Sequence, residues 1–451
     1  MPAKARFFMF PTQRAIRLLI LTVVALSCAG LLEADSDSVG GTWAWTDHFQ
    51  ATVVPQGHPG FSAPYSGMNS LGDTPALDTS LTSTLFLGLR LLPGFELYFN
   101  PELQAGSGFN GTTGLADFPN GEIYRVSSPY PALNLSRLYV QWVIGLGGGT
   151  EGIEDDANQI AGSRAVSRLT LVAGKFSLND YFDDNTYSHD PRSQFLNWAL
   201  MDLGAWDYAA DTRGYTEGIY AEFNQASWAV RFAEVLEPKE ANGEAMDLDV
   251  LHAHSENLEI ESRWSGATQP GKLRLLAFCN HADMGSYRAT LDSPSDGEDI
   301  SDTQAVGRIK YGFGLNLEQS LSKNLGIFSR ISWNDGQTET WAFTEIDRSG
   351  SVGFQWNGES WRRPLDHAGL AYIISGLSPE HEEYLAAGGY GFIIGDGALN
   401  YAPEQVLEAY YSLGIFKGLT ASPDYQFFRN PAYNQDRGPV HVFSLRVHYE
   451  I

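Results

Sequence analysis

The chain has almost no cysteine and, beyond its first 34 residues, no long apolar run. Its 451 residues include two cysteines, Cys28 and Cys279. We expect export to remove Cys28, which leaves Cys279 without a disulfide partner in the chain and excludes a cysteine-based metal site. A membrane-crossing helix needs about 20 mostly apolar residues. Because only helices and closed barrels satisfy every backbone group in lipid, a membrane form of this chain would have to be a barrel.

Positive charge is scarce as well. The chain carries 29 Lys and Arg against 54 Asp and Glu, a formal net charge of −25. Nucleic acids and phosphate-rich ligands are bound by surfaces rich in Lys and Arg. The composition therefore argues against nucleic acid as a partner. Aromatic residues make up 13% of the sequence and glycines number 47, a composition that favours strands and turns.

The N-terminus predicts an export signal over residues 1–34. Cleavage is expected after Ala34, where the sequence turns polar, and residues 35–451 are then expected to form a single barrel domain. Two alternatives stay open: a lipoprotein anchored at Cys28, and an uncleaved helix, although the apolar run is short for a span. The positive residues are Lys4, Arg6, Arg14 and Arg17, and the apolar run is Leu18 to Leu32.

The last ten residues alternate without a break between apolar and polar side chains. Successive side chains of a strand point to opposite faces, so this segment predicts a strand with one apolar and one polar face. Such a strand at the end of an exported chain is typical of the closing strand of an outer-membrane barrel. One face carries Phe443, Leu445, Val447, Tyr449 and Ile451, and the other Ser444, Arg446, His448 and Glu450.

The same alternation recurs along the chain and predicts an all-β fold, a transmembrane antiparallel β-barrel of the bacterial outer membrane. A soluble β-sandwich, whose strands also alternate, is disfavoured for two reasons. Charged residues share a face with Tyr98 and Tyr139, which suits a wet lumen, and aromatic residues recur near strand ends, as interfacial girdles require. The predicted strands include 84–91, 95–102, 137–144, 228–232, 258–264, 309–317 and 325–333, and the predicted loops 106–127, 147–163, 293–303 and 377–389.

The segment from Gly174 to Gly218 has the highest density of polar and aromatic residues. An acidic loop containing Asp180, Asp183 and Asp184 leads into Ser193–Leu203, which has helix-like spacing. This stretch is too short and too mixed to span a membrane. Irregular backbone is tolerated at membrane depth where it lines a cavity. We therefore expect an inward-folded loop or short helix in the mouth of the barrel.

Several long segments resemble the carbohydrate-selective porin family (OprB type). They are Gly174–Gly218, Gln56–Leu71 (QGHPGFSAPYSGMNSL), the pieces GESWRRPLDHAGLAY, GGYGFIIGDGALNY and PEQVLEAYY within Trp341–Tyr411, and Asn430–Ile451 (NPAYNQDRGPVHVFSLRVHYEI). The resemblance covers most of the chain in family order. One departure is Ile451, because the family prefers Phe at the last position, and this puts assembly efficiency in doubt rather than the fold.

The resemblance implies a single-chain barrel, commonly of 16 strands, that passes monosaccharides such as glucose by diffusion. Sugars offer hydroxyls to charged side chains and apolar ring faces to aromatic rings. Expected partners are monosaccharides, outer-membrane lipids and the barrel-assembly machinery, with monomer and homotrimer both open. Alternation selects the lumen candidates Arg90, Glu96, Tyr98, Arg137, Tyr139 and Gln141. The constriction candidates are Arg192, Trp198 and Asp202 in the inward segment, together with Arg362, Arg363 and Asp366.

No cofactor, metal ligand or catalytic residue is expected. The acidic cluster at 180–184 lacks the spacing of an EF-hand loop, and His252 and His254 form the one close histidine pair, which alternation would place on one face. Two rival functions stay open. A barrel enzyme such as a lipase would need a Ser/His pair on an outward-facing strand. A secreted carbohydrate-binding β protein would be recovered without detergent.

Overall fold

The computed structural model of the protein describes residues 43–265, 269–293 and 299–451. The expected export signal and its cleavage position lie outside these residues, as does part of the predicted loop at 293–303. Residues Trp43–Ile451 form one compact unit. Among the described residues, no helix is long and apolar enough to cross a membrane.

Sixteen strands in the described part of the chain form a closed barrel, and each strand pairs antiparallel with its neighbours in sequence. The barrel closes between the first and last strands, where Gln50 pairs with Glu450 and Gly57 with Phe443. The strands are β1 (Ala44–His58), β2 (Ala76–Leu92), β3 (Phe95–Gly106), β4 (Ala132–Ile153), β5 (Gly162–Phe176), β6 (Thr216–Asn224), β7 (Trp228–Leu236), β8 (His254–Ser265), β9 (Pro270–Ala282), β10 (Arg308–Ser322), β11 (Leu325–Asn334), β12 (Arg348–Asn357), β13 (His367–Gly376), β14 (Glu404–Phe416), β15 (Leu419–Arg429) and β16 (Val440–Glu450).

The predicted barrel is therefore confirmed, and so is the alternation from which it was predicted. In β16, Phe443 and Leu445 are exposed on the outer face while Arg446 and His448 are buried inside. The last residue, Ile451, continues the seam, because its N–H and C=O both bond to the backbone of Phe49 at 3.0 Å. A closed seam removes the unpaired strand edges that a membrane would not tolerate.

The two ends of the barrel differ in the length of their connections. One end, the short-turn end, carries turns such as 93–94, 225–227, 323–324 and 417–418, and also the start of β1 and the end of β16. The other, the long-loop end, carries the connections 59–75, 107–131, 177–215, 237–253, 283–307, 335–347, 377–403 and 430–439. Short periplasmic turns and long outer loops are typical of bacterial barrels. The long-loop end therefore resembles the outward-facing end of such barrels.

The long loops contain the described helices, all of them short. They are α1 (Trp198–Met201), α2 (Tyr287–Leu291) and α3 (Pro379–Ala386). The long loops also contain 3₁₀ turns at Phe109–Gly111, Leu178–Asp180, Ile300–Thr303 and Pro431–Tyr433, and a further 3₁₀ turn, Gly358–Trp361, lies between β12 and β13 at the short-turn end. The prediction of a loop over 147–163 is wrong for most of that range, because β4 continues to Ile153 and β5 begins at Gly162. The three glycines at 147–149 all adopt positive φ, and they produce shifts in register within the ladder rather than its end.

Candidate functional site

The connection between β5 and β6, residues 177–215, folds into the lumen, and we name it the inner loop. Its apolar side chains are buried there and belong to the same packed cluster as residues of the barrel wall. Phe195 makes an edge-to-face contact with Tyr410 of β14 at 4.9 Å between ring centroids. Trp198 stacks on Phe343 of the 335–347 connection at 5.8 Å. The expected inward-folded loop with a short helix is what the structure shows.

Charged side chains of the barrel wall satisfy the backbone of the inner loop. The carboxylate of Glu408 on β14 accepts the N–H groups of Leu196 and Asn197 at 2.6 and 3.1 Å. On β16, the Arg446 guanidinium donates to the carbonyls of Pro191 and Gln194 at 2.7 and 2.6 Å. Irregular backbone at membrane depth needs such partners because lipid offers none.

Arg330 of β11 is the most extensive of these anchors. Its guanidinium donates to the carbonyls of Leu200 at 2.8 Å and Ser188 at 2.7 Å. It also forms an ion pair with Asp183 at 3.0 Å, in which both side chains are at most 2% exposed. Asp183 in turn accepts the N–H of Leu203 at 2.8 Å. This pair joins two stretches of the inner loop, around residues 183–188 and 200–203, to one point on the wall.

A cavity of about 270 Å³ lies between the inner loop, the β2–β4 wall and the 107–131 and 335–347 connections. Cations, carboxylates and aromatic rings all face it. Arg192 Nε lies 2.9 Å from Glu122 and its Nη2 3.5 Å from Glu102. The hydroxyl of Tyr215 donates to Glu102 at 3.3 Å, and the guanidinium of Arg137 lies over the Tyr215 ring, 5.2 Å from its centroid.

Arg137 also makes the ion pair at the floor of this cavity. Its Nε and Nη2 lie 2.7 and 2.5 Å from the two carboxylate oxygens of Asp180, a two-pronged geometry that fixes both side chains. Asp180 borders a second cavity of about 360 Å³ as well, which is lined by the polar residues Gln141, Glu151, Arg164, Arg168, Asp184, Glu222, Arg231, Glu261, Arg263 and Lys272. The Arg137–Asp180 pair therefore stands where the two cavities meet.

The wall of the second cavity is a belt of alternating charge. Arg231 of β7 pairs with Glu222 at 2.9 Å and Glu259 at 2.6 Å. Arg274 of β9 pairs with Glu261 at 2.7 Å and Glu318 at 3.2 Å. Because each buried charge has an opposite partner, the belt keeps the lumen polar without a large excess of either sign.

His189 and Asp202 form a buried pair within the inner loop. Nδ1 of His189 lies 3.8 Å from Asp202, whose other oxygen accepts from Asn179 at 2.6 Å. Burial raises the pKa of Asp202 to about 7. Burial disfavours the imidazolium of His189, but the carboxylates of Asp202 and Asp184 outweigh it and raise the pKa of His189 above its usual value. The pair therefore holds a proton near neutral pH.

Three of the predicted site residues, Arg137, Arg192 and Trp198, line the first cavity. Asp202 is buried in the inner loop, and Arg90, Glu96, Tyr98, Tyr139 and Gln141 lie on β2, β3 and β4. Arg90 pairs with Glu96 at 2.6 Å, the hydroxyl of Tyr98 donates to Glu96 at 2.6 Å, and the rings of Tyr98 and Tyr139 lie 5.1 Å apart.

Arg362, Arg363 and Asp366, the other three constriction candidates, do not line the first cavity. They occupy the turn between β12 and β13 at the short-turn end, where Arg362 is exposed. Asp366 pairs with Arg363 at 2.5 Å and accepts the N–H of Gly414 at 3.0 Å, so these contacts hold the turn to the next hairpin. The adjacent His367, which was not predicted, donates to the inner-loop carbonyl of Ser193 at 2.7 Å.

The acidic cluster at 180–184 does not gather into one cation site. Its three carboxylates point to different arginines: Asp180 to Arg137, Asp183 to Arg330 at 3.0 Å, and Asp184 to Arg274 at 3.4 Å. Sequence reasoning missed Glu102, although the alternation that selected Glu96 also places it inside. It missed Glu122 and Tyr215 because loops carry no periodic signal.

Comparison with known proteins decides the family. The model of the carbohydrate-selective porin, OprB family, matches residues 69–450. The chain belongs to this family. The resemblance seen in the sequence is thereby confirmed, and the chain is an outer-membrane β-barrel of the OprB family.

A solved structure shares the fold of the chain, and curated relatives are similar to part of it. The high-pH structure of Pseudomonas putida OprB has the same fold, with a TM-score of 0.66, 14% identity and coverage of 91% of this chain and 94% of that one. Porin AaxA of Chlamydia abortus is 24% identical over 281 residues, 62% of this chain and 54% of the relative. Porin AaxA of Chlamydia caviae is 25% identical over 281 residues, with 62% and 53% coverage. The chain thus matches about half the length of these relatives.

Proposed function

We propose that the protein is a porin for passive, substrate-selective diffusion of monosaccharides such as glucose across the bacterial outer membrane. The observation that carries this proposal is the cavity at the inner loop, where arginines, carboxylates and aromatic rings converge inside a closed barrel. Diffusion through such a pore makes and breaks no bond, so no catalytic residue is required. Selectivity arises from the width of the lumen, the groups that line it and the field at its narrowest point.

The chemistry of the cavity suits a small neutral polyol. A sugar hydroxyl both donates and accepts, so it can bond to a carboxylate and to a guanidinium at once. Glu102 and Arg192 offer these two groups 3.5 Å apart. Tyr215 lines the same cavity, and the C–H face of a sugar can pack against an aromatic ring. A volume of about 270 Å³ is below the range of drug-sized pockets, which favours a monosaccharide over a longer saccharide.

The charges of the cavity also favour a neutral solute. Arg137 and Arg192 are each paired with carboxylates, so neither presents a free positive charge to an anion. The whole chain has a formal net charge of −25, which repels anions at the mouth. We therefore propose that anionic solutes pass less readily than neutral sugars of the same size.

We further propose that outer-membrane lipids surround the apolar outer face and that the barrel-assembly machinery inserts the chain. Support comes from the exposed apolar side chains of the outer face, among them Trp142, Phe313 and Phe443, and from the closed seam between β1 and β16. Monomer and homotrimer are both open as the oligomeric state, and measurement of the mass of the protein in detergent distinguishes between them.

Solute flux into liposomes tests the proposed function. We expect liposomes that contain the protein to swell faster in glucose than in an equal concentration of sucrose, because the cavity admits one sugar ring more readily than two. Tyr215→Ala should raise the sucrose rate toward that of glucose, whereas Tyr130→Ala, which removes a tyrosine 79% exposed, should leave both rates unchanged. The proposal would be refuted if liposomes that contain the folded protein swelled no faster than empty liposomes.

A further inference from the structure

Metal-ligating side chains meet on the outer face of the barrel at its long-loop end. His254 and Glu256 come from the beginning of β8, and Cys279 and His281 from the end of β9. The strand register pairs His254 with His281 and Glu256 with Cys279. Alternation turns the intervening Ser255 inward, where it is buried. All four side chains therefore share the outer face, in two neighbouring cross-strand pairs.

The distances within this group suit a single small cation. His254 Nε2 lies 3.4 Å from Glu256 Oε1, and His281 Nε2 lies 3.5 Å from Glu256 Oε2. The imidazole rings are stacked 4.4 Å apart at an angle of 10°. One ligand atom from each of the three residues lies within 4.8 Å of the others. Tetrahedral zinc with bonds of about 2.0–2.1 Å places its ligand atoms roughly 3.3–3.4 Å apart.

The surroundings make this polar group unusual. Leu258 and Leu275 lie on the same face and are 43% and 50% exposed, as expected of a lipid-facing surface. Charged residues on this face of a barrel are costly toward the bilayer centre and less so at its edge. Nδ1 of His254 and Oε2 of Glu256 are nevertheless buried, and neither makes a hydrogen bond to the described part of the chain. A bound cation would compensate the charge of the carboxylate and would take one nitrogen ligand from each imidazole ring.

We propose that His254, Glu256 and His281 bind a divalent transition-metal ion with the ligand preferences of zinc. Two imidazoles and one carboxylate are a ligand set that zinc takes with a fourth position left for water. Calcium and magnesium prefer several oxygen ligands, and here one carboxylate is present. The thiol of Cys279, 3.6 Å from His281 Nε2, adds a soft donor at the edge of the group and favours the same class of metal.

The sequence predicted no metal ligand and contained one close histidine pair, His252 and His254, which alternation would place on one face. The structure separates them, because His252 precedes β8 in an exposed turn and bonds to Asp249 at 2.9 Å. The partner of His254 is His281, 27 positions away in the chain and brought opposite it by the register of β8 and β9. A cross-strand pair of this kind cannot be read from sequence spacing.

Calorimetric titration of Zn²⁺ into the folded protein in detergent tests the proposal. We expect one zinc per barrel, and we expect His281→Ala and Glu256→Gln each to weaken binding by at least about tenfold, since even the loss of a group that only supports a ligand costs that much. His252→Ala, which removes an exposed histidine–carboxylate pair, is the matched control and should bind as the wild type does. Calcium should give no comparable binding.

Several results would overturn the metal site. They are wild-type protein that binds no zinc, ligand variants that bind it as well as the wild type, and a His252→Ala variant that weakens binding as much as His281→Ala. Folding of each variant is checked by the shift in gel mobility between heated and unheated samples. Because Glu256→Gln preserves the size of the side chain, it serves as the test variant if His281→Ala does not fold. The outcome is independent of what the pore conducts.

Discussion

Replacing Arg330 with alanine should release the inner loop from the barrel wall. The guanidinium of this residue lies 3.0 Å from the carboxylate of Asp183 and is 2% exposed. It also bonds to the carbonyls of Leu200 and Ser188. The substitution therefore leaves the buried carboxylate without its cation and removes a donor from two carbonyls, at the point where residues 183–188 and 200–203 of the loop are held to the wall.

The expected magnitude follows from the burial of this pair. Removing one partner of a buried ion pair costs about 3–5 kcal/mol, because the other charge stays buried and uncompensated. At about 1.4 kcal/mol per tenfold change, the ratio of detached to docked inner loop should rise by roughly two to three and a half orders of magnitude. The barrel strands themselves should persist, since their ladder hydrogen bonds do not involve this side chain.

Single-channel recording in planar bilayers measures the effect. Arg330→Ala channels should show a larger and noisier open current than the wild type, because the inner loop no longer narrows the lumen. Arg330→Lys keeps the positive charge but offers fewer donor groups, so the current and noise of its channels should lie between those of the other two. Arg429→Ala, which removes an exposed arginine at the end of β15, is the control and should behave as the wild type does. Identical current and noise in Arg330→Ala and wild-type channels would refute the role of this anchor.

Two further predictions concern charge and pH at the inner loop. Arg192→Ala leaves Glu102 and Glu122 without their cation, so the preference of the pore for cations over anions should increase. The reversal potential in a salt gradient measures this preference, and an unchanged potential would place the cavity off the ion path. The pKa values of His189 and Asp202 are both raised. Docking of the loop is therefore favoured at pH below these values and weakens as pH rises through about 7 and above. Current noise should therefore grow between pH ~5.5 and ~8.5 in the wild type and should change less in the His189→Asn variant. Equal pH dependence in both proteins would contradict a role of the His189–Asp202 pair in docking of the loop.

The strands and the membrane fold could be predicted from the sequence because they depend on a local rule. Alternation over two residues decides which face a side chain takes, and it placed Glu96 and Arg231 inside and Leu138 and Phe443 outside, as the structure does. The rule gives no height along the barrel. For this reason Asp366 and its neighbours were expected at the constriction, although they hold a turn at the short-turn end.

The inner loop was recognised, but the residues that hold it were not. The residues that hold the inner loop come from strands distant in the chain: Arg330 from β11, Glu408 from β14 and Arg446 from β16. Only closure of the barrel brings these strands around one loop. The Arg137–Asp180 pair is a similar case, since one member was expected in the lumen and the other in an acidic cluster. Spacing within a segment cannot show which distant charge completes it.

A glucose titration of the single-channel current tests whether the cavity of Arg137, Arg192, Glu102 and Tyr215 lies on the conduction path and binds a monosaccharide there. Glucose should then lower the current in a saturable manner, and Tyr215→Ala should shift half-block to higher glucose concentration. A current that falls only in proportion to the viscosity of the solution, with the same dependence in Tyr215→Ala, would contradict the claim.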